Sequence, residues 1–441
     1  MPVVKRNLDA FALGVRVLTK GTFGVDNRKY KQKSASTTRP FKSVPVAIEM
    51  KNFKIFLAFL MVFALFTHTE TSSANDMSRM ATIESLVNEH SFIIDNSRFA
   101  GTINDILNRD KYFFQGHYYS DKPPVLALYS SIFYWILKNV FNVSFENNYH
   151  LTYYFLTLLV VGVSSCLSLV YLSKVLELFK IDGNWSNIVL FITGFSTLIL
   201  PYSTVFNNHI ISGSLLLFSF YNFFKIEEGI KPSILAGFFL SLAASIDITC
   251  FVFLPFALII LFNKSLKTKT IFVVSYIPMI IIYFWLNYYN SGSLIPAAMN
   301  KTLWDYPGSF FNEQNLSGLA QQNSISHLAI YSFNMLIGKR GLFSYSPILL
   351  FSVFALIKTI CFKREFEYRK EYLFIATTSL AFIMLYILRS NDYSGDAYGV
   401  RWFTSLMFIL CIPLAHIGDS IKKYKILRNL CNRSRGGTSC A

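Results

Sequence analysis

Long apolar runs separated by short polar connections repeat along most of the chain. They fall at 53–68, 125–141, 151–173, 186–201, 209–224, 233–248, 250–263, 271–288, 344–361, 372–389 and 402–418. Each is close to the length a helix needs to cross a bilayer, once tilt and flanks are allowed for. The pattern predicts an all-α fold, a polytopic transmembrane helical bundle. Residues 1–49 are polar and basic without sustained periodicity, so they read as a disordered segment, and Met50-Lys51-Asn52-Phe53-Lys54 reads as a second beginning. The run at 53–68 is taken as an uncleaved anchor. A signal peptide is the alternative, because Thr71-Ser72-Ser73-Ala74 is a tolerable cleavage site.

The connections supply a parity test. Lys174 and Lys180, Lys225 and Lys231, Lys264, Lys267 and Lys269, then Lys363, Arg364, Arg369 and Lys370, and finally the tail form one basic set. The alternate connections, 202–208 and the turn near Thr249, hold no Lys or Arg, and 390–400 holds none before Arg401. Basic loops face the cytoplasm. All of them fall there if the run at 125–141 lies along the outer face or re-enters it. The expectation is therefore about ten spans within residues 50–420, a basic cytoplasmic tail at 421–441, and both termini inside a plasma (inner) membrane. The loops 69–150 and 289–343, with 390–400, form the outer face and carry juxtamembrane helices.

Composition agrees with this layout. Of 441 residues, 53% are hydrophobic and 15% charged, with 44 Phe and 25 Tyr, more apolar surface than a soluble core of that size needs. The net charge of +16 is concentrated at the ends: residues 1–51 carry +8 and residues 421–441 carry +6. Basic flanks of that kind make the lipid bilayer the partner and disfavour nucleic acid. Soluble-enzyme signatures are missing, with no phosphate-binding glycine loop, dinucleotide pattern, His-Glu-x-x-His or Cys-x-x-Cys, so nucleotide-driven chemistry is disfavoured.

Chemistry then has to come from the outer loops. The stretch Gln115-Gly116-His117-Tyr118-Tyr119-Ser120-Asp121-Lys122-Pro123-Pro124 packs a histidine, tyrosines, an acid and a lysine against the start of an apolar run. Around it lie Asp76, Arg79, Glu84, Asp95, Arg98, Asp105 and Asp110. The other two loops add Lys301, Asp305, Glu313, Lys339, Arg340, Asp392, Asp396 and Arg401. Carboxylates serve as general bases, and Lys or Arg hold phosphate through charge-assisted hydrogen bonds. The combination suits transfer from a lipid phosphate.

The motif Asn75-Asp76-Met77-Ser78-Arg79-Met80-Ala81-Thr82, followed by Tyr119-Ser120-Asp121-Lys122-Pro123-Pro124, resembles the GT-C superfamily of polyprenyl-phosphate-sugar-dependent glycosyltransferases. Among these it looks most like the lipid A aminoarabinose transferases and bacterial protein-mannosyltransferase-like relatives, whose loops read roughly D-E-x-R-Y-A and Y-F-E-K-P-P. Gly341-Leu342-Phe343-Ser344-Tyr345-Ser346-Pro347 and Gly395-Asp396-Ala397-Tyr398-Gly399-Val400-Arg401-Trp402 look like further shared elements. The resemblance implies an integral membrane glycosyltransferase, inverting, with a polyprenyl-phosphate-linked sugar as donor and a hydroxyl acceptor on the extracytoplasmic face. It makes Asp76 the acceptor-activating acid, Lys122 the ligand of the lipid phosphate and Arg401 a second phosphate contact. Arg79, His117, Tyr119, Asp121, Asp247, Arg340, Asp396 and Tyr398 are candidate cavity-lining residues. Met77 stands where relatives carry Glu, so an adjacent acid pair for a divalent metal is missing and no cofactor is assigned.

Each assignment has a plainer alternative. Asp76 also fits a helix N-cap, and Lys122 also fits a lysine snorkelling to the interface. His117 fits an interfacial histidine, Asp121 an ion pair with Lys122 or a nearby Arg, Asp247 a turn acid at the outer face, and Arg340 a headgroup contact. A polytopic transporter or flippase of lipid-linked sugars is the competing function. It predicts internal repeats and ionisable residues near midspan, whereas here no repeat is evident and charges cluster at segment ends.

Overall fold

A computed structural model describes residues 45–105, 110–311, 324–362, 366–390, 392–395 and 397–418. Almost the whole proposed basic N-terminal segment, the tail and Asp396 lie outside these. Helices dominate: α1 (Pro45–Phe66), α2 (Ala74–Asn88), α3 (Arg98–Asp105), α4 (Pro124–Phe141), α5 (Tyr149–Leu178, with a π-type turn at Leu158–Gly162), α6 (Gly183–Phe195) and α7 (His209–Phe224). They continue with α8 (Ile230–Ile246), α9 (Ile248–Leu261), α10 (Leu266–Ser291), α11 (Ile325–Leu336), α12 (Leu349–Cys361), α13 (Arg369–Arg389) and α14 (Arg401–His416).

Among the described residues four helices, α4, α5, α10 and α13, are long and apolar enough to cross a membrane, and α7, α8, α9, α12 and α14 are shorter apolar helices. The surface agrees: α10 exposes Val274, Ile277, Ile281 and Trp285 along one side, and α4 exposes Ile132 and Trp135. Faces of this kind are stable against hydrocarbon and costly against water. The length and hydropathy of α4 suffice for crossing, whereas the loop charges predicted a segment lying along the outer face or re-entering it.

Helix α7 forms the centre. Its residues from His209 to Phe220 are all buried, between α5, α8 and α14. Small residues permit the close approach that dispersion-driven packing in lipid requires. The Ser219 hydroxyl donates to the Ala236 carbonyl of α8 at 2.8 Å. At Gly213 a Cβ would sit 2.9 Å from the Ser405 carbonyl oxygen, so glycine there lets the start of α14 lie directly against α7. That contact brings Arg401 and Ser405 to the end of α7 that carries His209.

Polar segments gather at this end, and they are not wholly helical. Lys111–Phe114 (β1) pairs antiparallel with His117–Ser120 (β2), a departure from the expected all-α architecture. Gln115 and Gly116 both adopt positive φ, 51° and 89°, the backbone that a tight hairpin turn demands. The consecutive aromatics Tyr112, Phe113 and Phe114 face Tyr118 and Tyr119 across the ribbon, and Tyr112 packs with Ala297, Leu303 and Trp304 in a small core of its own. Tyr112 Oη donates to the Asn290 carbonyl at 3.2 Å and Tyr306 Oη to the Lys111 carbonyl at 3.1 Å, tying the hairpin to the end of α10 and the segment beyond.

Candidate active site

Lys122 follows directly from β2. Its backbone N–H donates to Ser120 Oγ at 3.2 Å, Ser120 and Ser78 hydroxyls lie 2.6 Å apart, and Ser78 donates to the Asp110 carbonyl at 2.6 Å. These bonds bind the hairpin to α2. Pro123 has φ −50° and ψ 127°, which ends the extended segment, and Pro124 opens α4 where a missing N–H costs nothing. The lysine is thus held at a fixed junction, its side chain only 12% exposed. Its ammonium lies 2.6 Å from Asp110 Oδ1 and 2.9 Å from the Asp121 carboxylate. With the Asn75 amide turned so that its oxygen meets donors, that oxygen accepts from Lys122 Nζ at 2.9 Å and from the Arg401 guanidinium at 3.3 Å.

Two arginines complete the cluster. Arg79, one turn along α2 from Asn75, donates to Asn208 Oδ1 at 2.8 Å. Arg401 is positioned by its own N–H, which donates to Ser394 Oγ at 3.0 Å. The Nε–H groups of both are buried, with no hydrogen-bond partner among the described residues. Buried donors normally find acceptors, so two cavity-lining guanidinium groups, each with a donor unmet, suit an anion.

The charges condition one another. Burial works against ionisation of Asp110, yet Lys122 at hydrogen-bond distance, with Arg401 and Arg79 behind it, holds its carboxyl below the usual range. Burial wins at Asp121, which is raised despite Lys122, with Asp110 adding repulsion. Burial also pulls Arg79 down to about 10, still protonated at neutral pH.

These residues line a cavity of about 1200 Å³. The same cavity is lined by His209 at the start of α7, Asp247 and Thr249 at the α8–α9 break, and Tyr386, Arg389 and Arg340. His209 Nδ1 and Asp247 Oδ2 are 2.9 Å apart, both residues buried. Arg340 also donates to the backbone carbonyls of Gly395 and Ala397. Apolar walls come from Tyr283, Met299, Trp304 and Phe311. Among the described residues no group of three or more His, Cys, Asp or Glu is arranged to hold a metal ion.

Lys122, Arg401, Arg79, Asp121, Asp247 and Arg340 therefore meet at one cavity. Asp76 does not line it. The helix cap is Ser73, and Asp76 is the third residue of α2, closing a reciprocal capping box. Its Oδ1 accepts from Ser73 N and Oγ, both at 2.8 Å, and its Oδ2 from Ser72 N at 2.8 Å and Tyr153 Oη at 3.0 Å. With both oxygens committed and the residue 2% exposed, the carboxylate has no lone pair left for an acceptor. His117 is exposed and bonded to Asp95 at 2.7 Å. Tyr119 stacks on Tyr112, ring centroids 5.6 Å apart, and it is Tyr112 that faces the cavity. Tyr398 is exposed against Tyr345. Asp396 lies outside the described residues.

Asn75, Asn208, His209 and Arg389 were not singled out in the sequence. Asn208 and His209 head an apolar run, and nothing local joins them to positions 79 or 247. Arg389 reads as the flank of its helix. Asp110 stood among the loop acids with nothing to mark it.

No family model matches the chain, and no curated protein matches its sequence. In fold it is similar to crystal structures of ArnT from Cupriavidus metallidurans, bound to undecaprenyl phosphate and in the apo state. Both are 12% identical and cover 84% of this chain, with TM-scores of 0.49 and 0.48. The chain spans 60% and 59% of the length of those structures.

Proposed function

We propose that the protein is an integral membrane glycosyltransferase that moves a sugar from a polyprenyl-phosphate donor to a hydroxyl acceptor on the extracytoplasmic side. The observation that carries this reading is the convergence of Lys122, Arg401 and Arg79 around Asn75 at a cavity beside apolar helices. A phosphate monoester or diester supplies acceptors for the two arginine guanidinium groups and Lys122 that line the cavity. It would exchange with Asp121, whose charge burial already disfavours, while Asp110 keeps Lys122 in place.

In this mechanism the donor phosphate sits on Lys122 and Arg401, with Arg79 behind. As the acceptor oxygen attacks the anomeric carbon, the bond to phosphate breaks and negative charge grows on the leaving group, where fixed cations in a dry site act most strongly. Attack from the face opposite the phosphate inverts the centre. Asp76 serves as a positioning residue, because its capping bonds hold the helix start that presents Asn75 and Arg79. The loop charges support about ten crossings with α4 along the outer face, termini cytoplasmic and the cavity outside.

The test is incubation of purified full-length protein with undecaprenyl-phosphate-linked pentoses and hexoses carrying a radiolabel. Release of undecaprenyl phosphate with label in a glycosidic product is expected, and K122A should lower it by about 10²-fold, as loss of a charge-stabilising donor does elsewhere. Movement of intact donor across proteoliposomes, with no product, would replace the reading by a flippase.

A further inference from the structure

We propose that His209 is the catalytic base of this site and that Asp247 positions it, an inference that rests on the glycosyl-transfer reading above. Both residues line the cavity, and both are more than nine-tenths buried. Asp247 is fixed at both oxygens: Oδ1 accepts from Thr249 Oγ1 at 2.6 Å and Thr249 N at 3.3 Å, and Oδ2 lies 2.9 Å from His209 Nδ1 and accepts from Ser405 Oγ at 3.3 Å. Tyr386 Oη donates to Thr249 Oγ1 at 3.1 Å, extending the chain of bonds behind the carboxylate.

An ionised Asp247 can only accept, so the proton of the shared bond sits on His209 Nδ1. In the neutral ring that leaves Nε2 with its lone pair. Among the described residues Nε2 has no hydrogen-bond partner. Neutral imidazole with one nitrogen held by a buried carboxylate and the other bare is the arrangement that readies a base, with the carboxylate fixing tautomer and ring and stabilising the imidazolium that forms. Charged groups around the ring are Asp247, Arg401 and Arg79, while Tyr283 and Tyr386 flank Asp247. The arginines face the ring from α2 and α14.

Location separates this group from the other acids. Asp110 and Asp121 are in contact with Lys122 and so share the side that grips phosphate. A base for inverting attack must stand away from the leaving group. His209 and Asp247 are at the heads of α7 and α9 and make no hydrogen bond to Lys122, while Arg79 and Arg401 lie near enough to act on the ring. In the step, the acceptor O–H proton passes to Nε2 as the new C–O bond forms. The electron pair of the broken C–O bond leaves with the polyprenyl phosphate, held by Lys122 and Arg401.

Three measurements on the full-length protein test the assignment. The first is ¹⁵N-histidine NMR, with the His209 signal identified by its absence in H209Q. A neutral, Nδ1-protonated tautomer that is lost in D247N is expected, and an Nε2-protonated neutral tautomer overturns the proposal whatever the donor is. The second is transfer from a radiolabelled undecaprenyl-phosphate sugar across pH 5–9. H209Q and D247N should lower kcat by about 10²-fold or more, the scale of general base catalysis, leave the donor KM unchanged, and remove the acid limb of the profile in H209Q. Retained kcat, or an acid limb that persists in H209Q, overturns it. The third is the Kd of undecaprenyl phosphate, which should match wild type in both variants. Parallel loss of binding makes the pair structural, whereas failure of wild type to bind the lipid defeats the phosphate reading and leaves the NMR outcome to decide the dyad.

Discussion

Lys122 Nζ and Asp110 Oδ1 lie 2.6 Å apart inside the cavity wall, the shortest contact of the lysine and the one that survives when phosphate displaces Asp121 in the proposed mechanism. Because Asp110 is held below its usual range by Lys122 against the cost of burial, it stabilises the fold above its unfolded-state pKa of about 3.9 and loses that contribution as pH falls through the folded value. D110N should therefore melt below wild type at pH 7, and the gap in Tm should close below about pH 4. Melting curves across pH measure it, and a gap independent of pH would contradict the ion pair.

Asp121 carries the opposite sign. Burial raises it, so its ionised form opposes folding as pH rises. D121N is expected to be at least as stable as wild type at pH 7 while keeping undecaprenyl phosphate affinity. A fall in Tm comparable with that of D110N would show that the two acids share Lys122 equally.

Asp76 distinguishes capping from catalysis. D76A removes the reciprocal partner of Ser73 and should cost about 1 kcal/mol, within the range of helix-cap losses. D76N, which keeps one acceptor oxygen, should retain transfer to within about tenfold of wild type, less than the 10²-fold lower bound for losing a base. Measuring kcat in D76N decides, since a loss of two orders or more with normal folding would return the catalytic role to Asp76.

Gly213 links packing to the site. A methyl group there would meet the Ser405 backbone at 2.9 Å, so G213A should push α14 from α7 at a cost of about 1–3 kcal/mol, as overpacking does. Since Arg401 leads that segment, undecaprenyl phosphate affinity should fall together with Tm. Unchanged affinity in a destabilised variant would separate the two.

Much of this was legible in the chain. Apolar runs located the helices because hydrocarbon leaves few alternatives for backbone polar groups, and Lys122 drew attention as a cation fixed before two prolines. Asp76 was ambiguous for a physical reason: Ser73-x-x-Asp76 is equally a cap signature and a motif acid, and only the saturation of both oxygens separates them. The His209–Asp247 contact joins positions 38 apart that meet because α7 and α8 run side by side, with the start of α7 beside the end of α8. The hairpin was hidden because its strands, KYFF and HYYS, carry runs of aromatics with no period-2 alternation and do not stand out in a chain holding 44 Phe and 25 Tyr.

The most direct test is the equilibrium affinity of undecaprenyl phosphate for the full-length protein in detergent or nanodiscs, compared among wild type, K122A, R401A and K180A. Lys180 pairs with Glu367 on an exposed surface and lies outside the cavity. A charged hydrogen bond of roughly 1.5–3 kcal/mol converts to at least about a tenfold loss of affinity in each of K122A and R401A, with K180A unchanged. Wild-type affinity in K122A and R401A would contradict the account.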